Sequence, residues 1–397
     1  MRIALMTNNY KPFIGGVPIS IERLAKGLRQ LGHEVTVFAP TYAEQQAEED
    51  VFRYSTCLNR FIGGIVLPNS FDTRIEKEFE RQSYDIIHVH HPVLIGQTAV
   101  QLSRKYNIPL VFTYHTRYEQ YITYYTRGLI KPDRLMALYL KSFLKHCGLV
   151  IAPTAGMQEY LINDCAVAPE KTGILPTGIE NYNFEPRDSE AQALRKRYGC
   201  QDIPLFLTVS RMAVEKNVEF LLESLSEYKK ACHKPFKMLL AGDGPDRSFL
   251  EQRSRELGLS GECIFTGKLP NEELAAYYQA ADAFLFASKT ETQGIVILEA
   301  FAGRTPVIAV RASGVEDLIA DGENGFLTAE DTRAFAECLQ KYMDCSFDRE
   351  QMSQNALLTG LQYREEAVAK QAVRYYNNLI INSYGREGEK WNRSIAF

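Results

Sequence analysis

Short apolar runs rich in β-branched residues alternate with amphipathic stretches from the start of the chain. In the first half the runs are IALMT (3–7), VTVF (35–38), IIHVH (86–90), LVFTY (110–114) and LVIAP (149–153), with helical periodicity over 17–31, 93–106 and 132–147. Near-continuous apolar strands separated by helices predict parallel sheets covered on both faces, because a strand buried on both sides has no polar face to alternate with. The pattern breaks at LPTGIENYNFEP (175–186), whose Pro, Gly and Asn favour turns. It restarts with LFLTVS (205–210), KMLLAG (237–242), CIFTG (263–267), AFLFAS (283–288), PVIAV (306–310) and GFLT (325–328), and from about 331 onward it is helical. The expectation is an α/β protein of two Rossmann-like, doubly wound domains, 1–178 and 179–363, facing across a cleft. Ligands of open parallel sheets sit beyond the carboxyl ends of the strands, so the loops that follow strands are where chemistry is expected.

Composition adds exclusions. The chain has 397 residues, 45% hydrophobic and 24% charged, which fits folded domains and argues against long disorder. Eight scattered cysteines include no C-x-x-C pair, so neither a zinc ribbon nor a disulfide framework is indicated. No apolar run reaches the roughly 18 residues of a spanning helix, and MRIALMTNNYKP does not read as a secretory leader. A cytoplasmic protein is expected, peripheral on the inner face of the cell membrane if it docks there. Residues 1–178 hold 19 basic and 16 acidic side chains and the remainder 26 and 33, a balance that does not suit nucleic acid. One local exception is 117–145, where Arg117, Arg127, Lys131, Arg134, Lys141 and Lys145 are interleaved with Tyr118, Tyr121, Tyr124, Tyr125 and Tyr139.

Three loops carry candidate chemistry. Gly15-Gly16 lies between the first strand and the first helix, where bare backbone and unpaired helix N–H groups suit an anion, although a plain turn reads equally well. Arg211 and Lys216 follow LFLTVS; a guanidinium and an ammonium there suit a diphosphate, or else are solvated surface cations. The third loop is SKTETQGIVILEAFAG (288–303). Glu291 lies in the loop, Gly294 opens a helix whose first N–H groups, from Gly294, Ile295 and Val296, face an anion, and Glu299 sits inside it among apolar neighbours. An inner carboxylate suits a diol, accepting two hydrogen bonds from adjacent hydroxyls.

Glu291 and Glu299 fit an E-x7-E pattern. With Gly15-Gly16, Arg211, Lys216 and SGVEDLIADGENGFL (313–327), the chain resembles family 4 retaining glycosyltransferases of the GT-B fold over Met1 to at least Leu327. The resemblance implies that Gly16 lies at the donor diphosphate and that Arg211 and Lys216 neutralise it as it departs. It places Glu291 on sugar hydroxyls, Glu299 on the ribose diol, His115 of TYHTR against the donor sugar, and Lys268 in the base-binding loop. It also implies that residues 364–397 cross back to the first domain. No two of the 15 aspartates are spaced as D-x-D, so no metal or other cofactor is expected.

HTRYEQYITYY (115–125) is similar to the pattern of bacterial diacylglycerol glucosyltransferases, with Thr123 where that subgroup often carries His. The partners implied are a UDP-sugar, a lipid acceptor and an anionic membrane surface. Arg117, Tyr118, Tyr121, Tyr125, Arg134, Lys141 and Lys145 are the candidates for acceptor or membrane contact, with Leu138, Leu140, Phe143 and Leu144 supplying apolar area. Competing readings are a soluble sugar or polyol acceptor, a glycosidase using paired carboxylates, a GT-B epimerase, or a non-catalytic nucleotide-sugar module.

Overall fold

The computed structural model describes residues 1–13, 15–43, 48–58, 66–69, 72–115, 133–289, 291–344 and 348–394. They fall into two compact units, one comprising Met1–Gly178 with Glu365–Phe397 and the other Ile179–Arg364.

The first unit opens with β1 (Arg2–Met6), α1 (Gly16–Gln30), β2 (Glu34–Pro40) and β3 (Val51–Tyr54). A small antiparallel pair follows, β4 (Thr56–Leu58) and β5 (Leu67–Pro68). The chain continues through α2 (Thr73–Arg81), β6 (Ile86–Val89), α3 (Ile95–Tyr106), β7 (Leu110–Thr113), α4 (Asp133–Leu144), β8 (Leu149–Ala152), α5 (Ala155–Asn163) and β9 (Thr172–Ile174). Seven strands form one sheet in the order β3-β2-β1-β6-β7-β8-β9, every neighbouring pair parallel. The inner strands β6, β7 and β8 are buried at every position, which is why their sequences are apolar without alternation.

The second unit comprises α6 (Asp188–Arg197), β10 (Leu205–Val209), α7 (Val218–Cys232), β11 (Lys237–Ala241), α8 (Arg247–Glu256), β12 (Cys263–Gly267), α9 (Asn271–Ala280), β13 (Ala283–Phe286), α10 (Ile295–Ala302), β14 (Val307–Val310), β15 (Gly325–Thr328), α11 (Thr332–Met343) and α12 (Arg349–Leu361). Its parallel sheet runs β12-β11-β10-β13-β14-β15. Helix starts carry the side chains that satisfy otherwise unpaired N–H groups. Asp72, Thr154, Asp331 and Asp348 each accept from a backbone N–H in the first turn of α2, α5, α11 and α12.

The last helix, α13 (Glu365–Ser394), belongs to the first unit. Val368, Ala372 and Tyr376 join Ile21, Leu24 and Leu28 of α1 in the layer over one face of the seven-stranded sheet. Small residues let it lie close: a Cβ on Gly27 would stand 2.8 Å from the Ala369 side chain, and one on Gly173 would stand 2.9 Å from the Tyr375 ring.

One expectation is corrected. In α4, Leu140, Phe143 and Leu144 are buried in the core of the first unit, so their apolar area is not available to a lipid surface. The outward residues include Leu138, 65% exposed, with Lys141 and Lys145. Arg117, Tyr118, Tyr121, Tyr125 and the side chain of Arg134 lie outside the described residues.

Candidate active site

Strand order reverses direction between β1 and β6 in the first sheet and between β10 and β13 in the second. At such a switch point the loops leaving the two strands diverge to opposite faces and open a crevice at the carboxyl edge. The candidate residues of the second unit occupy that edge. Lys216, in the loop after β10, donates to Oε1 of Glu291, in the loop after β13. The residues are 75 positions apart and meet because β10 and β13 are neighbours. Burial alone would raise the Glu291 pKa, but the Lys216 charge and its hydrogen bond outweigh it. The carboxyl is held below its ordinary value and is ionised at neutral pH. Arg211 is exposed immediately after the same strand.

Backbone and side-chain ties hold these loops together. Ser288 Oγ donates to the Glu215 carbonyl at 3.2 Å. Glu330, just beyond β15, pairs with Lys289 and accepts from Asn217 Nδ2 at 3.2 Å. Gly314 has a φ of +76°, and a Cβ there would lie 2.5 Å from the Glu291 carbonyl oxygen. The loop after β11 crosses the Arg211 segment as closely, with Met212 N–H donating to the Asp243 carbonyl at 3.0 Å. Gly242 has φ +129°, and its Cβ would lie 1.9 Å from the Ser210 carbonyl oxygen. Gly242→Ala is therefore expected to lower stability by at least about 3 kcal/mol, since steric overlap adds to backbone strain; urea unfolding of the purified variant measures it.

Gly294, at φ +73°, precedes α10, whose first N–H groups, from Ile295 and Val296, have no earlier turn of helix to bond to. Glu299 lies one turn further along, partly exposed, and its Oε2 accepts from the Tyr278 hydroxyl at 3.2 Å. Lys268 is exposed directly after β12.

In the first unit, Gly15 caps α1 in an extended conformation open to any residue, and Gly16 is exposed at the first helical position. His115 follows β7 and meets three further histidines that sequence reasoning passed over. His115 Nε2 lies 2.8 Å from His90 Nδ1. The His90 ring stacks on that of His88, with centroids 4.3 Å apart. His88 is held by the Thr113 hydroxyl at 2.6 Å and the Tyr376 hydroxyl at 2.7 Å. His91 Nδ1 accepts from the Asn8 N–H at 3.2 Å. Burial pushes the pKa of His88 and of His115 down to about 3, the latter helped by His91 and His88, and that of His91 down to about 4. Burial and its three neighbours lower His90 as well. The repeat in IIHVHH was the available signal: two histidines on one side of a strand, then a third at its carboxyl end.

Among the described residues, no group of three or more His, Cys, Asp or Glu is placed to hold a metal ion, and no helix is long and apolar enough to cross a membrane. What gathers at the second unit's carboxyl edge is a charged, hydrogen-bonding surface able to hold an anion and a polyol.

Comparison with known proteins identifies the family. The family model described as Glycosyltransferase Family 4 matches residues 14–181, and that described as Glycosyl transferases group 1 matches 191–358. The alpha-monoglucosyldiacylglycerol synthase of Streptococcus pneumoniae is 34% identical over 82% of this chain and 75% of its own length. The enzyme of the same name from Acholeplasma laidlawii is 29% identical over 96% of this chain and 98% of its own. The crystal structure of Anabaena HepE in complex with UDP superposes with a TM-score of 0.76 at 20% identity, covering 95% of this chain and all of that one. The chain belongs to glycosyltransferase family 4 and has the GT-B fold.

Proposed function

We propose that this enzyme transfers a hexose, glucose being the first choice, from a UDP-sugar to the free hydroxyl of diacylglycerol with retention of the α configuration. The observation that carries the reading is the Lys216–Glu291 pair at the second unit's switch point, in a chain 34% identical to an alpha-monoglucosyldiacylglycerol synthase. The diphosphate would lie against Arg211, Lys216 and the first N–H groups of α10, and the Gly15-Gly16 loop would offer it bare backbone. Glu299 would take the ribose diol, Lys268 would lie beside the base, and Glu291 and His115 would contact the sugar.

In this mechanism the acceptor oxygen attacks the anomeric carbon on the face that UDP leaves. The bond from that carbon to the β-phosphate oxygen breaks, its electron pair stays with the oxygen, and the same phosphate takes the acceptor's proton. Arg211, Lys216 and the helix amides stabilise the charge that develops on the diphosphate, which is the largest source of rate in such sites. A chelating metal has no step to perform, so turnover is expected to survive EDTA.

The test is incubation of the purified protein with isotope-labelled UDP-glucose and dioleoylglycerol in mixed micelles. A product with the mass of diacylglycerol plus one hexose and an α anomeric coupling supports the proposal. Transfer only to a soluble sugar or polyol overturns the lipid acceptor, and a β product overturns retention.

An acceptor buried in a bilayer also requires the enzyme to reach the surface. Lys141 and Lys145 are the described cations of the basic stretch. Vesicle sedimentation at low salt is expected to show binding to anionic but not neutral lipid. Replacing both lysines by glutamate should weaken it, each lost cation being worth about 1 kcal/mol near such a surface.

A further inference from the structure

The histidine cluster does more than bury the rings of His88 and His90. Building on the reading that His115 contacts the donor sugar, we infer that His90 is a positioning residue that fixes His115 as its Nδ1–H tautomer, so that His115 offers the sugar a hydrogen-bond donor and not a base. His90 Nδ1 and His115 Nε2 are 2.8 Å apart, and between two neutral imidazoles one nitrogen must donate and the other accept. Burial favours the neutral form of both rings.

The direction of that hydrogen bond follows from the far side of His90. Its Nε2 is enclosed and has no hydrogen-bond partner among the described residues. If His115 donated, the proton of His90 would sit on that Nε2 as a buried, unpaired N–H, which is rarer in folded proteins than an under-used acceptor. His90 therefore carries its proton on Nδ1 and donates, His115 Nε2 accepts, and the His115 proton is left on Nδ1.

Three elements hold the donor in place. The His90 backbone N–H donates to the Met6 carbonyl of β1 at 2.9 Å. Its ring lies between those of His88 and His115, both within a 27° tilt. His88 is fixed in turn by Thr113 of β7 and Tyr376 of α13. His91, next in sequence, is set the other way: its Nδ1 accepts from the Asn8 N–H, so its proton is on Nε2. Adjacent histidines thus hold opposite tautomers, each imposed by a different neighbour.

The test is long-range proton–nitrogen NMR on the full chain with labelled histidine, with the His115 signals assigned by their loss in His115→Gln. In the unsubstituted protein His115 is expected to be protonated at Nδ1 and bare at Nε2. His90→Asn, whose amide nitrogen can stand in for Nδ1, should retain that state, whereas His90→Phe should release it. With the UDP-sugar donor, His90→Phe should lower kcat about a hundredfold, the lower end of what the loss of one preorganised hydrogen-bond donor costs. The donor KM should change by less than about twofold, as expected for an interaction made chiefly in the transition state, and His90→Asn should restore most of the rate. A proton on Nε2 of His115 in the unsubstituted protein overturns the inference even if His90→Phe fails to fold; so does a His115 tautomer indifferent to His90→Phe. Absence of any glycosyl transfer would overturn the proposed function but not the tautomer, which the spectrum reads directly.

Discussion

Replacing Arg211 and Lys216 together by alanine is expected to lower glycosyl transfer by at least roughly 10³-fold, since removing one preorganised group facing developing charge typically costs 10²- to 10³-fold. The two side chains leave the carboxyl end of one strand, and no other lysine or arginine is bonded to Glu291 among the described residues. Their loss removes the counter-charge for a departing diphosphate and also strips Glu291 of the partner that keeps it ionised. The carboxyl would then be governed by its burial and move upward in pKa. Because an orphaned carboxylate also weakens the fold, turnover should be expressed per folded molecule, with circular dichroism as the check. Near-normal turnover of the double variant would refute the assignment of this edge as the donor site.

Mild acid is expected to destabilise the first unit steeply. His88 is fully buried and its pKa falls from 6.5 to about 3, so below pH 6.5 the unfolded chain takes up a proton that the native chain refuses. Stability contributed by the neutral ring is complete above pH 6.5 and is lost progressively as the pH falls toward 3, at about 1.4 kcal/mol per pH unit for each such histidine. His90, buried beside it and shifted the same way, adds a second slope of the same sign. Urea unfolding followed between about pH 7 and pH 5 should show it. His88→Gln, which keeps amide hydrogen-bonding capacity but cannot titrate, should remove one proton from the slope. An unchanged slope would mean that His88 is protonated in the native state.

Both sheets were legible in the sequence because their central strands are buried on both faces, and a run such as LVFT or AFLF has few other uses. The edge was not. VFRY and TGI, the edge strands β3 and β9 of the first sheet, are short and partly polar, and no strand was read there. Strand order was equally hidden, and with it the reason Lys216 meets Glu291. Both residues could be nominated from their loops, but their pairing depends on β10 lying beside β13. The histidines were overlooked for a different reason. IIHVHH reads as a strand with polar interruptions, and only the fold shows that His88 and His90 face the returning α13 and the end of β7. Gly242 read as the end of a strand, whereas the close crossing of two loops is what requires it, and Gly244 after it. The apolar residues of α4 were read as a lipid-facing surface because amphipathic periodicity does not say which solvent, core or bilayer, the apolar side meets.

Because α13 supplies Val368, Ala372 and Tyr376 to a layer that otherwise comes from the first 178 residues, the order of synthesis and the order of completion differ. On the ribosome, the Ile179–Arg364 unit has all of its own strands and helices before the earlier one does. The nascent amino-terminal half must wait, with the side of α1 that meets α13 uncovered, until residues 365–383 emerge from the exit tunnel. A stop codon placed after Arg364 would therefore spare the unit just translated and cripple the one made first.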